Sequence, residues 1–142
     1  MKIKALIVLA ISLLVFACKK DNNEVEMSNC NTSVILDSNL YNTANDSNFT
    51  IENALISGDC LYVEYYSSGC SGDTWEMSLY DAERIIASFP PSRIIRLSLI
   101  NTELCQAVFK KVISFDLTDL QINDTDEMGL NLSQGYTFTY QY

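Results

Sequence analysis

The sequence predicts an all-β domain: an immunoglobulin-like antiparallel β-sandwich of about seven strands. Two observations carry this. Seven short runs alternate apolar and polar side chains with a period of two, and turn-forming residues interrupt them about every ten residues. A third observation, four cysteines from Cys30 onward beside a fifth near the N-terminus, adds expected cross-links to that frame.

The first run, Phe49 to Ser57, is ended by Gly58-Asp59. The second, Cys60 to Tyr66, points Leu61, Val63 and Tyr65 one way and Tyr62, Glu64 and Tyr66 the other. Ser67 to Asp73 is a loop by composition. Trp75, Met77 and Leu79 then alternate with Glu76, Ser78 and Tyr80. After Pro90-Pro91 come Ile95, Leu97 and Leu99, then Ile113, Phe115 and Leu117, then Met128, Leu130 and Leu132. Gly135 marks a turn before Tyr136, Phe138, Tyr140 and Tyr142. One apolar face per strand is the pattern of two sheets packed face to face. Asp81 to Phe89 reads two ways: a short helix capped by Asp81 with Ile85 and Ile86 buried, or a turn and a strand.

The N-terminal region has a different character. Lys2 and Lys4 precede an apolar run from Ala5 to Phe16, which is too short for a permanent span of roughly 20 residues. Val15, Phe16 and Ala17 lead to Cys18 in the manner of a lipoprotein signal. Residues 1–17 are therefore expected to be a signal peptide, with Cys18 acylated and fastened to the lipid bilayer, since each buried CH₂ contributes about 0.8 kcal/mol. The polar residues 18–47 are expected to be a tether with one short edge strand near Val34 to Leu36, and 48–142 the sandwich. The expected location is the outer membrane, facing the periplasm or the cell surface.

Strand direction pairs the remaining cysteines. Cys60 opens one strand and Cys70 follows its end, so they lie at opposite ends of the sandwich. The strand from Ile94 to Ile100 returns to the Cys70 end just before Cys105. The expected disulfides are therefore Cys70–Cys105 and Cys30–Cys60.

Composition excludes several functions. The chain has no histidine, which removes Ser-His-Asp and Cys-His nucleophile pairs and the commonest transition-metal ligand. The net charge is −9, and loss of Lys2 and Lys4 with the signal takes it to −11. Without a basic patch, no nucleic-acid partner is expected. There is no Cys-x-x-Cys, and Met77 and Met128 lack ligand spacing, so neither a metal nor another cofactor is expected. The acidic turn at Asn123, Asp124, Asp126 and Glu127 lacks the glycine and terminal glutamate of an EF-hand loop. Gly69-Cys70-Ser71-Gly72 only faintly resembles a nucleophile elbow.

No catalytic residues are expected. The first candidate function is a non-enzymatic binding or interaction module, with Tyr62, Tyr66 and Tyr80 as an exposed aromatic surface for an envelope protein or a glycan. The alternative is an extracytoplasmic enzyme or metal-handling protein using carboxylates or cysteines.

The segments Ser57-Gly58-Asp59-Cys60-Leu61, Ser68-Gly69-Cys70, Glu103-Leu104-Cys105-Gln106-Ala107 and Ile113-Ser114-Phe115-Asp116-Leu117 resemble a group of small, functionally uncharacterised lipoproteins of Bacteroidota-type bacteria. The likeness runs from about Phe49 to Tyr142. It implies a compact extracytoplasmic domain and no activity. Some members of that group carry a histidine near the place of Asp73, from which this chain departs. Lys20-Asp21 is a partial match to the charged signal that directs such lipoproteins to the cell surface.

Overall fold

The computed structural model of the chain describes residues 30–142. Cys18, the signal peptide and the first part of the tether lie outside the described residues.

The seven alternating runs form seven long strands, and two very short strands precede them. In chain order these are β1 (Thr32–Ser33), β2 (Ile35–Leu36), β3 (Thr50–Ser57), β4 (Cys60–Gly69), β5 (Glu76–Ile86), β6 (Ser92–Ile100), β7 (Ala107–Asp116), β8 (Glu127–Leu132) and β9 (Tyr136–Gln141). Among the described residues an α-helix, α1 (Ser38–Thr43), sits between β2 and β3, and a short 3-10 helix (Thr118–Leu120) between β7 and β8. The strands make two sheets, ordered β1-β7-β4-β3 and β2-β5-β6-β8-β9.

The core lies between the sheets and is built from the inward half of each alternation. Leu61, Val63 and Tyr65 of β4 and Phe115 of β7 meet Met77 and Leu79 of β5, Ile95, Leu97 and Leu99 of β6, Met128, Leu130 and Leu132 of β8, and Tyr140 of β9. Burial of such side chains is worth about 1.5–3 kcal/mol each.

The sandwich is mixed where an antiparallel one was expected. β1 pairs in parallel with β7, β2 with β5 and β6 with β8. The first two follow from one feature. A single extended segment, residues 32–36, bonds to the four-stranded sheet and then to the five-stranded sheet, with Val34 buried at the crossing. One segment has one direction, so both pairings share it. The edge strand expected near Val34 to Leu36 is present as β2, and the rest of residues 30–47, expected to be tether, is also folded onto the domain. Asp37 caps α1 by accepting the amides of Asn39 and Leu40. The Arg96 guanidinium lies 4.6 Å from the Tyr41 ring centroid. The Asn45 carbonyl accepts from both Ser98 Oγ and the Leu99 amide. The sequence conceals this because an edge segment buries only one side chain and so shows no apolar period.

Residues 81–86 continue β5 as strand, with a bulge between Asp81 and Ile85 and Glu83 at φ 53°. Asp81 caps no helix. It points into the sandwich, where its Oδ1 accepts the Glu83 amide at 2.8 Å and an Arg93 guanidinium N–H at 2.9 Å. Ile85, on the buried side of the rejected helix, is exposed.

Candidate binding surface

The outer face of the four-stranded sheet gathers four exposed large hydrophobic side chains, Leu55, Tyr66, Val108 and Val112. Register places its side chains in rows: Leu55 beside Tyr62 beside Ser114, Glu64 beside Val112, Tyr66 beside Lys110 and Ser68 beside Val108. Leu55 is 46% exposed, Tyr66 38%, Val112 63% and Val108 67%. Tyr62 is half-buried. It stands four residues from Tyr66 on one strand, so the two rings rise about 13 Å apart. At the centre, Lys110 Nζ bridges Glu52 and Glu64. Hydrogen bonds to Glu52 and then Glu64 hold the ammonium above the ordinary lysine range. The two carboxylates are thereby occupied, and the face carries little net charge within a strongly acidic protein.

Tyr80 does not belong to this face. It lies on β5, with its ring on the outside of the other sheet, where it borders a cleft with Leu40 and Thr43 of α1 and with Ser98 and Ile100 of β6. The three tyrosines share outward phase along their strands, but the sheets they sit on face opposite ways. Strand phase is legible in a sequence; sheet membership is not.

The expected disulfides are both present. Cys70–Cys105 spans Cα atoms 4.8 Å apart, and Cys30–Cys60 5.6 Å. All four cysteines of the described residues are thus oxidised, which removes the thiol chemistry of the enzyme alternative. Met77 and Met128 are buried in the core, and among the described residues no group of three or more Cys, Asp or Glu is placed to hold a metal ion. In the acidic turn, Thr125 Oγ1 is engaged with the Tyr142 hydroxyl, and the Asp126 carbonyl accepts the Tyr142 amide.

At the Cys70 end, Glu103 holds the glycine-rich loop. Its carboxylate accepts the consecutive amides of Cys70, Ser71 and Gly72 and the Thr74 hydroxyl. The glycines make room for it. A Cβ on Gly69 would collide with Glu103 Oε2, and Gly72 has φ +73° with Lys111 Cε 2.7 Å from where a Cβ would sit. The nucleophile-elbow reading ends here, because the loop amides that would form an oxyanion hole already hold an internal carboxylate. The signal was available: Glu103 lies two residues from Cys105, which pairs with the glycine-rich loop's own cysteine.

The Gly72 and Ser71 amides, as the largest causes, pull the Glu103 carboxyl down from 4.5 to about 2. A depressed carboxyl contributes stability that is present above its unfolded value and lost as pH falls through its folded one. Acid is therefore expected to loosen this loop between about pH 4.5 and 2. Glu103→Gln should remove that dependence, leaving a lower melting temperature at pH 7 and a flatter profile in acid. A wild-type profile already flat across that window would contradict the assignment.

At the opposite end, buried Tyr140 donates to Asp59 Oδ1 at 2.6 Å and accepts from Gln121 Nε2 at 3.0 Å. Burial and the Asp59 bond push the phenol well above its ordinary range. The Cys30–Cys60 bridge closes this end. Both ends of the sandwich are therefore fastened, and the sheet faces and edges remain as surfaces.

No known protein family and no curated protein matches the chain. Among solved structures, it is similar to a protein of unknown function, DUF1344, from Bacteroides vulgatus. The TM-score is 0.51 at 17% identity, covering 78% of this chain and 56% of that one. It is also similar to a putative toxin-related protein from Parabacteroides distasonis, with TM-score 0.51 at 15% identity, covering 78% and 60%. The chain thus spans little more than half the length of these structures. Likeness at this identity shows the fold alone. Both organisms belong to the bacterial group to which the cysteine-containing segments pointed.

Proposed function

We propose that the protein is a lipid-anchored, extracytoplasmic binding module. It is held at the outer membrane through acylated Cys18 and engages another envelope protein through the outer face of β3, β4 and β7. The observation that supports this reading is the exposed group of Leu55, Tyr66, Val108 and Val112 on one sheet face, with Tyr62 beside it, on a chain of net charge −9. Apolar patches rimmed by polar residues mark interaction sites. Aromatic side chains are enriched among residues that dominate binding energy. A protein fits this face better than a glycan. The two valines and the leucine offer nothing to hydroxyl-rich sugars, and Glu52 and Glu64 are already bound to Lys110.

Crosslinking in intact envelopes followed by capture of the full chain is expected to recover one consistent protein partner. A Tyr66→Ala, Val112→Ser double variant should lose it while keeping its unfolding free energy within about 1 kcal/mol of the parent's, since both sites are exposed. Recovery of a polysaccharide would favour the glycan reading. Recovery of abundant background proteins alone would count against both. Palmitate labelling that persists in a Cys18→Ser form would refute the anchor separately.

A further inference from the structure

Topology fixes which turns share an end of the sandwich. β4 begins at Cys60, beside Asp59, and ends at Gly69, beside the Cys70 loop. β5 starts near that loop at Glu76 and runs back to Ile86, so the turn from β5 to β6 lies at the Cys60 end. Two contacts tie it there. The Pro91 carbonyl accepts the Gly129 amide. Tyr140, paired with Met128 next to Gly129, reaches Asp59 with its hydroxyl. The N-terminal part of the chain joins the domain at this same end, because Cys30 is bridged to Cys60.

This turn carries the most exposed large hydrophobic side chain of the described residues: Phe89 is 101% exposed. Ile85, just before it, is 50% exposed. No residue from Ile85 to Ser92 is charged. The polar groups of the turn are largely spent on one another. The Ser88 amide donates to the Ile86 carbonyl at 2.9 Å, and Ser88 Oγ donates to the Pro90 carbonyl at 2.7 Å. Pro90 and Pro91 have no N–H to satisfy. Leu104, 95% exposed, is the comparable side chain elsewhere, and it differs in place and company. It lies at the opposite end, beside Cys105, within the polar run Thr102-Glu103-Leu104-Cys105-Gln106.

We propose that the Phe89 turn inserts into the bilayer to which Cys18 is fastened, so that the domain stands on its Cys60 end. The proposal rests on the acylation of Cys18, as does the anchored function above. Reach, chemistry and charge select lipid as the occupant. Cys18 and Cys30 are twelve positions apart and span at most about 40 Å, so the bilayer is always within range of this end. The Cys70 end lies a further strand length of about 35 Å away. A turn whose hydrogen bonds are closed on itself gives up few when it leaves water. It offers correspondingly few donors or acceptors by which a protein could recognise it, and a fluid bilayer needs no shaped cavity to receive it. A chain of net charge −9 is repelled by anionic lipid, but the turn itself is uncharged, and a zwitterionic surface has no net charge to oppose it. The gain from one ring is small. Tethering makes it sufficient, since insertion is then intramolecular. The strands would stand upright, with the Glu103 loop farthest from the lipid and the β3–β4–β7 face turned sideways toward neighbouring envelope proteins.

The test places the acylated protein, purified from membranes, in phosphatidylcholine vesicles containing spin-labelled lipid. The one tryptophan, Trp75, precedes β5 near the Cys70 end, and its emission should not be quenched. Phe89→Trp should add emission that is blue-shifted and quenched; Leu104→Trp should add emission that is neither. Because an indole itself favours the interface, the contribution of Phe89 is read separately. In an Ile85→Trp protein, adding Phe89→Ser should lower the ratio of inserted to free turns about tenfold or more. A Cys18→Ser form held on nickel-chelating lipid by an N-terminal histidine tag separates the turn from the anchor. Quenching at position 89 in that form supports insertion even where acylation of Cys18 fails. An acylated chain unquenched at position 89 keeps the anchor and overturns insertion. Equal quenching at positions 89 and 104 would also overturn it, as would photocrosslinking from position 89 in intact envelopes that captures a protein instead of lipid.

Discussion

Replacing Asp81 with alanine is expected to destabilise the fold by about 3–5 kcal/mol, because it strands the Arg93 guanidinium inside the sandwich. The Asp81 side chain is 0% exposed and that of Arg93 12%. Among the described residues, Asp81 Oδ2 and Arg93 Nε have no hydrogen-bond partner. The pair therefore bears the cost of desolvation and recovers it through one bond of 2.9 Å. Burial pushes the Asp81 carboxyl above its ordinary range, and Arg93 with the Glu83 amide draws it only part of the way back. In a fold of this size such a loss lowers the melting temperature on the order of 12–20 °C. The double replacement Asp81→Leu, Arg93→Met should recover most of the loss, since apolar isosteres of a buried ion pair are often neutral or better. Arg93→Met alone should show a characteristic pH dependence. Without the guanidinium, the Asp81 carboxyl lies further above its unfolded value, so the penalty is full at pH 7 and relieved as acid protonates it. Thermal melts of the four proteins at pH 7 and pH 4 would check this. Additive losses in the double variant would show that the two groups do not act as a pair.

Asp81 also shows where sequence reasoning reached its limit. Its position beside Ala82 and Glu83 fits a helix cap as well as a bulge, because in both an aspartate oxygen accepts an amide two or three residues on. Only its partner Arg93, across a hairpin, decides between them. The strands were legible because each buries one face, and alternation records that directly: Leu61, Val63, Leu79, Ile95, Leu97 and Met128 are all inward, as their phase required. The disulfides were legible because strand direction places Cys70 and Cys105 at one end. Pairing between strands distant in sequence was not legible. The parallel contact of β6 with β8 leaves no mark on either strand's phase. The same holds for the binding surface. Tyr62 and Tyr66 could be placed outward from β4 alone, but Tyr80 could not be assigned to a sheet.

Removing the Cys70–Cys105 bridge by a Cys70→Ser, Cys105→Ser double replacement is expected to cost about 4 kcal/mol, from the chain entropy released when a long loop is opened. The bridge joins residues 35 apart and ties the end of β4, in one sheet, to the loop that leaves β6, in the other. That loop is also held by Asn101 Nδ2, which donates to the Ser68 carbonyl, and by Glu103 in its cradle of amides. The bridge and the carboxylate position the same few residues, so their contributions should not add. Glu103→Gln introduced into the bridgeless protein should cost less than in the bridged one, because a loosened loop no longer presents three amides together. The two bridges should also separate under mild reduction. Cys70 and Cys105 are exposed, whereas Cys60 is 1% exposed. Exchange requires a thiolate to reach sulfur, so alkylation after brief reductant treatment should label Cys70 and Cys105 before Cys30 and Cys60. Labelling in the reverse order would contradict the assigned exposure of the two bridges, and a bridgeless protein as stable as the parent would mean that the loop is held by its hydrogen bonds and that the sulfur link adds nothing.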